Sequence, residues 1–433
     1  MALPHRNIHG SSGQHQAERV EPEDQTLPSH RRRCTFVHLP LRTSGGLMSP
    51  ESMSLEQRPV ETGISKEHFL TQDWYERDLE AVWRPRWHYA AHESELSEPR
   101  SYVTFKLGDD EVIITRLQSG ALTAYFNVCR HRGYPLAPEG NGKLGRNFVC
   151  QYHGWAFSTE DGACVSATKM HEGFDKTPWG LHKAWVEAYN GLVFVSLSRE
   201  KPVGVTESFT SFADSEGAIA GYDLSGLKVA AVDHVEVAAN WKLVVENDDE
   251  CYHCSLNHPE LVKTIDPWHT FTVVEDLDKP QRLWTQDDWS IEDLTSNPYS
   301  QDAGCRVPLP RQTAHEGDEL PIVQVFWQPS GHMVISPDNV WIWTIRPLGP
   351  QLTIATSQFL VAADAEEGRD YDIESLTSLV LTTLGQDAAL CEGLQKGLRM
   401  QPFKPGPLNP HHQGGIIEFY RWYQRCLNVT QPA

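Results

Sequence analysis

Hydrophobic patterning along the 433-residue chain starts near residue 63, and residues 1–62, rich in His, Ser, Pro, Gln and Glu, read as a disordered tail. From "SKEHFLTQDWYERDLEAVW" onward, Phe69, Trp74, Leu79 and Val82 recur at helical spacing. "SYVTFKLGDDEVIITRL" then predicts a hairpin, two β-rich arms around Gly108-Asp109-Asp110. "ALTAYFNV" predicts a strand that delivers Cys129, and "GLVFVSL" (191–197) closes this β-rich segment. Further on, "IVQVFWQ", "HMVIS", "VWIWTIRPLG" and "LTIATSQFLVAA" are joined by short turns and predict an antiparallel meander. Between the two β-rich regions "NWKLVVENDDECYHCSLNHPEL" has helical character, and one long helix is expected over roughly 370–398. No internal repeat is evident.

Composition narrows the class. With 39% hydrophobic residues and 14 Trp, the chain can bury a large core in two domains or in one with an insertion. No apolar run approaches the ~18 residues of a membrane span. A formal net charge of −21 argues against nucleic acid as a partner. Nine scattered Cys are no disulfide framework and point to a reducing cytoplasm.

Two short clips change the picture: Cys129-x-His131 and, eighteen residues later, Cys150-x-x-His153. A structural zinc ion accepts two Cys and two His, but zinc fingers pair Cys with Cys and His with His. Here each clip carries one of each. Two loops of that kind place both Cys on one iron and both His on the other iron of a [2Fe–2S] cluster, the Rieske arrangement. Between the clips, Gly140-Asn-Gly142-Lys-Leu-Gly145 matches the dinucleotide fingerprint. It lacks a strand before it and a helix after it, so it reads as a loop. Cys164, Cys251, Cys254, Cys305, Cys391 and Cys426 read as buried or incidental.

A second candidate centre lies in "ENDDECYHCSLNHPEL", where His253 and His258 follow Glu250. Pro259 disfavours helix at His258, so the helix is expected to end there, letting His258 turn towards the centre of His253. In the long helix Val380, Leu384, Asp387, Cys391, Leu394 and Leu398 form one apolar stripe that includes Asp387. A carboxylate on such a stripe is either salt-bridged or metal-bound. With the two His it would complete a 2-His-1-carboxylate triad for mononuclear iron(II). The alternative is a pair of hydrogen-bonded core histidines beside an Asp that is salt-bridged or sits at the edge of a frayed stripe.

Over roughly residues 63–425 the chain resembles the Rieske non-haem iron oxygenases. The resemblance rests on "RHRG" and "HGWAF" at the clips, and on "NWK…EN…ECYH…HPEL" and "QD…CE..Q.GL" in the same order and spacing. It implies an α+β fold: a β-rich Rieske [2Fe–2S] domain and a helix-grip, START-like catalytic domain with an antiparallel sheet. The chain would then divide into the tail (1–62), a helical segment packed on the catalytic domain (63–98), the Rieske domain (99–205) and the catalytic domain (206–433). The resemblance also implies a homotrimer in which the cluster of one subunit feeds the iron of its neighbour. Electrons would come from a separate flavin and iron–sulfur reductase that oxidises NAD(P)H. At the position of the family's bridging carboxylate stands Glu250, where many ring-hydroxylating members carry Asp. That residue, "EEGRDYDIESL" and "FKPGPLNP…EFYRWY" are similar to the branch that oxidises quaternary ammonium compounds, glycine betaine monooxygenases above all. A methylated cation suits an aromatic cage, for which Trp268, Trp284, Trp289, Trp327, Trp341 and Trp343 are available. Two rival expectations stand beside this one: the α subunit of an aromatic-ring-hydroxylating dioxygenase, and a non-enzymatic zinc or Rieske module that binds or relays electrons.

Overall fold

The computed structural model describes residues 62–208, 221–263, 281–286, 304–310, 322–410 and 412–429; the tail expectation, apart from Thr62, falls outside them. Helices α1 (Glu67–Leu70) and α2 (Gln72–Asp78) are separated by Thr71, whose hydroxyl accepts from Trp74 N at 3.4 Å as an N-cap. A π-turn (Leu79–Trp83) extends α2. Pro85 has no N–H to continue the ladder. The α-helical run therefore ends there, strand β1 (His88–His92) follows, and a short 3-10 turn (Glu93–Leu96) comes after it.

Nine more strands complete the N-terminal half: β2 (Ser101–Leu107), β3 (Asp110–Arg116), β4 (Leu122–Phe126), β5 (Asn141–Lys143), β6 (Asn147–Val149), β7 (Ala156–Ser158), β8 (Cys164–Ser166), β9 (Lys183–Tyr189) and β10 (Leu192–Ser196). Among the described residues they form a seven-stranded sheet, β1-β10-β9-β4-β3-β2-β5, and a small sheet, β6-β7-β8. The expected hairpin is present. Leu107 pairs with Asp110, and Gly108 turns the chain at φ 58°. A Cβ there would lie 2.9 Å from Leu79 Cδ1, so the tip needs glycine to pack on the π-turn. Strand β3 is buried on both faces. Val112 and Ile114 join the core beneath Trp83, while Ile113 joins Tyr125, Cys129 and Cys150 on the clip side.

The C-terminal half carries β11 (Leu227–Val237), α3 (Trp241–Asp248), a single turn α4 (Cys254–Asn257), β12 (Gln281–Gln286), β13 (Ile322–Trp327), β14 (Gly331–Ile335), β15 (Val340–Gly349), β16 (Leu352–Ala362), α5 (Ile373–Leu398) and α6 (Gly414–Val429). The strands form the antiparallel sheet β11-β16-β15-β14-β13-β12, which contains the expected meander. Side chains alternate across it. Trp341, Trp343, Ala355 and Phe359 face the core shared with α3, α5 and α6; Val340, Ile342 and Leu360 face Tyr89, Leu192 and Phe194.

Two sequence expectations need correcting. The segment read as one helix to His258 breaks after Asp248: Asp249 ends α3, and helix resumes only for the single turn α4. On α5 the stripe does not run through Leu394, which is 53% exposed; Gln395 is buried instead. It replaces an apolar residue because its amide is satisfied, accepting from Asn240 N at 2.8 Å and donating to Gln351 at 3.4 Å.

One buried ion pair fixes α3. Asp78 and Lys242 are both 0% exposed and directly paired. Asp78 also accepts from Trp241 Nε1 at 2.9 Å and Tyr423 OH at 2.6 Å, tying α2, α3 and α6 together.

Candidate metal centres

The two clips fold alike. In each, the Cys N–H donates to the carbonyl five residues on, Tyr134 for Cys129 at 2.9 Å and Trp155 for Cys150 at 2.8 Å. In each, a glycine four residues on donates back to the Cys carbonyl at 2.9 Å, from Gly133 and from Gly154. Those glycines have φ 77° and 71°, which closes both loops tightly. Cys129 and Cys150 are buried, 3% and 2% exposed, with their thiols adjacent. Burial pushes the Cys129 thiol up, and the neighbouring Cys150 adds to this, although backbone donors from His131 and Arg132 oppose it. His131 and His153 are exposed, their ring centroids 4.7 Å apart, and His131 stacks on Trp155 at 4.9 Å. A pair of thiols inside and a pair of imidazoles at the rim fit a cluster with one Cys-bound and one His-bound iron. The Gly140–Gly145 stretch carries the short exposed β5 and no helix follows it, so it has no strand–turn–helix for a dinucleotide.

The second centre forms where α5 crosses the sheet. Asp387 Oδ1 lies 3.1 Å from His253 Nε2 and 3.0 Å from His258 Nε2, and the three side chains are 18%, 16% and 1% exposed. The remaining ring nitrogens are held from behind. His253 Nδ1 meets Glu250 Oε1 at 3.1 Å, and His258 Nδ1 meets Gln386 Oε1 at 2.8 Å. Gln386 in turn donates to Glu260 at 3.0 Å. Such orientation of both rings is what a metal site requires. Burial opposes charge on His253, but its hydrogen bonds to the Asp387 and Glu250 carboxylates outweigh it and push the imidazole up to about 9. Burial likewise opposes charge on Asp387, yet the two His hold it below its usual range. Without a metal the trio is thus an ion-paired cluster, and a divalent cation can replace its protons.

The acidic run beside it is not solvated surface. Asp248 Oδ1 lies 3.2 Å from His332 Nδ1, Asp249 accepts from Gln328 at 3.5 Å, and Glu250 turns to His253. Burial, reinforced by Asp248 and Glu246, pushes the Asp249 carboxyl well above its usual value.

A cavity of about 150 Å³ opens above the trio, floored by Asp387, His253 and His258 and walled by Trp341, Trp343 and Asp233. Of the six candidate tryptophans, Trp341 and Trp343 line it. Trp327 packs instead on Phe194, on the sheet's other face. Of Trp284 only the backbone is described, and Trp268 and Trp289 lie outside the described residues. Sequence reasoning missed Gln386 as a support, although it stands next to Asp387. It also treated Cys251 and Cys254 as incidental, whereas the structure joins them in a disulfide around His253. Asn247, whose amide lies 3.1 Å from His253 Nε2, was equally unassigned.

Comparison with known proteins matches residues 86–189 to the Rieske [2Fe-2S] domain and residues 224–429 to the ring hydroxylating alpha subunit catalytic domain. The chain belongs to the Rieske oxygenase family. It is an enzyme of the oxidoreductase class whose cofactors are a [2Fe–2S] Rieske cluster and a mononuclear iron. It is 29% identical to the glycine betaine monooxygenase oxygenase subunit of Pseudomonas aeruginosa over 399 residues, which cover 86% of this chain and 91% of that one. To the large oxygenase component of a Pseudomonas aeruginosa naphthalene 1,2-dioxygenase system it is 31% identical over 220 residues, 47% of this chain and 46% of that one. Its fold matches the quaternary ammonium Rieske monooxygenase CntA with a TM-score of 0.69 at 23% identity, over 85% of this chain and 96% of that one. The α+β architecture expected for the family, a β-rich Rieske domain beside an antiparallel-sheet catalytic domain, is the one observed. No helix among the described residues is long and apolar enough to cross a membrane.

Proposed function

We propose that this chain is the oxygenase component of a multicomponent monooxygenase that hydroxylates and N-demethylates a small quaternary ammonium compound such as glycine betaine. The observation that carries the reading is the cavity over His253, His258 and Asp387, which pairs two indole walls with the carboxylates of Asp233 and Asp248. A methylammonium cation cannot shed its charge, and aromatic faces with nearby carboxylates suit it. The similarity to a glycine betaine monooxygenase oxygenase subunit over most of both chains supports it further.

In this reading Cys129 and Cys150 hold one cluster iron and His131 and His153 the other, within a Rieske domain spanning 99–205. His253, His258 and Asp387 hold the mononuclear iron of a catalytic domain spanning 206–433. When bound, these groups supply the electrons and the dioxygen activation. Glu250 fixes the His253 tautomer and, in a homotrimer, accepts a second imidazole N–H from a neighbouring subunit's cluster ligand. Gln386 does the same for the His258 ring. Trp341 and Trp343 hold an N-methyl group over the trio. Its hydroxylation consumes O₂, two electrons and two protons and releases water; the N–CH₂OH product then expels formaldehyde and a proton, leaving the tertiary amine. Electrons reach the chain from a separate NAD(P)H-oxidising reductase in the cytoplasm.

The test is turnover of the iron-loaded protein with a surrogate reductase on glycine betaine, carnitine, choline and aromatic acids. Formaldehyde from a methylammonium substrate is the expected result. Dihydroxylated rings without formaldehyde would favour the aromatic dioxygenase, and a zinc-loaded, iron-free protein would favour a binding or relay module.

A further inference from the structure

Cys251 and Cys254 form a disulfide whose three-residue span contains His253 and starts one residue after Glu250. Both cysteines line the cavity above His253, His258 and Asp387. Cys251 is half-buried and Cys254 is 4% exposed. The other described cysteines are not disulfide-bonded. Opened, the pair would release the Cys254 sulfur, which lies within 4.8 Å of a ring nitrogen of each of His253 and His258. In the cytoplasm proposed above, a disulfide is usually redox-active rather than structural.

We propose that Cys251 and Cys254 are a reversible thiol–disulfide site, oxidised by hydrogen peroxide, that clamps the Cys251–Cys254 segment carrying His253. The location at the iron rests on the functional reading above; the thiol chemistry does not. The Cys251 sulfur attacks peroxide, its O–O bond breaks, and a sulfenic acid and one water form. The Cys254 thiol then displaces the sulfenic oxygen as a second water, closing the S–S bond. Two thiols have lost two electrons and two protons, and peroxide has gained them. A dithiol reductant reverses the change by exchange, becoming a disulfide itself. Closed, the bridge holds the backbone from Cys251 to Cys254, which carries His253. Open, it frees that backbone and exposes a soft sulfur donor beside two imidazoles.

The experiment uses the full-length, iron-loaded protein, treated either with hydrogen peroxide or with dithiothreitol that is then removed. Differential alkylation and peptide mass mapping should find the 251–254 pair oxidised in the first sample and reduced in the second. Amide hydrogen exchange across residues 250–257 should be faster in the reduced sample. Chelation should strip mononuclear iron about tenfold faster from the reduced sample, the loss typical of a disturbed outer shell, while the cluster absorption stays unchanged. The Cys251→Ser variant should exchange and release iron at one rate under both treatments. A pair that stays reduced in peroxide overturns the proposal, as does equal exchange across 250–257 in the two samples. A protein without mononuclear iron refutes the functional reading instead, and the mapping and exchange still decide the cysteine pair.

Discussion

Asp78→Asn is the change whose consequence can be followed furthest through the structure. The Asp78 carboxylate is 0% exposed and pairs with an equally buried Lys242. It also accepts from Trp241 and Tyr423. Burial already pulls the Lys242 ammonium down, and the charge of Asp78 is what resists this. Amidation keeps the shape but leaves the ammonium without its counter-charge, a loss of about 3–5 kcal/mol for a broken buried pair. The rings of Phe69, Trp241 and Tyr423 lie 5.6, 4.8 and 5.3 Å from Lys242 Nζ, and cation–π attraction moves the figure to the lower end, about 3 kcal/mol. Set against a typical total of about 5–15 kcal/mol, that is a large fraction. Urea unfolding followed by tryptophan fluorescence should show a lower midpoint at unchanged slope. Removing the ammonium as well, in Asp78→Asn/Lys242→Met, should recover most of the loss. Because α3 leads directly into Glu250 and His253, the single variant should also retain less mononuclear iron while its cluster spectrum persists. A loss below about 1 kcal/mol, or a double variant as unstable as the single one, would refute the reasoning.

Three further outcomes test the centres themselves. Replacing His153 by Cys should lower the cluster potential and alter its low-g EPR signal, because thiolate replaces neutral imidazole; an unchanged signal would remove His153 from the cluster. Glu250→Gln should leave both metals bound yet slow substrate-dependent cluster oxidation by orders of magnitude, whereas Asp249→Asn should not; the reverse pattern would mean that Asp249 is the bridge. The metal-free protein should show a pH dependence set by His253, whose folded pKa is raised from 6.5 to about 9: its stabilisation is full below 6.5 and disappears as pH rises through 9. The size is about 3 kcal/mol. Asp387→Ala should flatten that slope and abolish mononuclear iron binding with the cluster intact, and a steep slope in the variant would show that Asp387 is not the partner.

How much of this was legible beforehand differs from residue to residue. The clips, the hairpin at Gly108 and the antiparallel meander were legible because each depends on spacing within a few tens of residues. Strand alternation, turn chemistry and the Cys-x-His and Cys-x-x-His intervals are local properties that no distant contact overrides. Asp387 was legible as a candidate ligand, a carboxylate on an apolar stripe that a triad with His253 and His258 would explain. Its meaning came from a partner 134 residues earlier in the chain, since His253 reaches its oxygen only once α5 lies across the sheet. In the acidic run at 248–250 the role of Glu250 was legible through the family resemblance, whereas only tertiary packing turned Asp248 and Asp249 towards His332 and Gln328. Helix propensity could not foresee the break after Asp248, where those contacts and the 251–254 disulfide displace backbone ladder bonds. The local sequence determined which elements form and which donors they carry. The tertiary structure decided which donors meet, because a hydrogen bond or metal contact needs atoms within about 3 Å, and that proximity is a property of the packed chain.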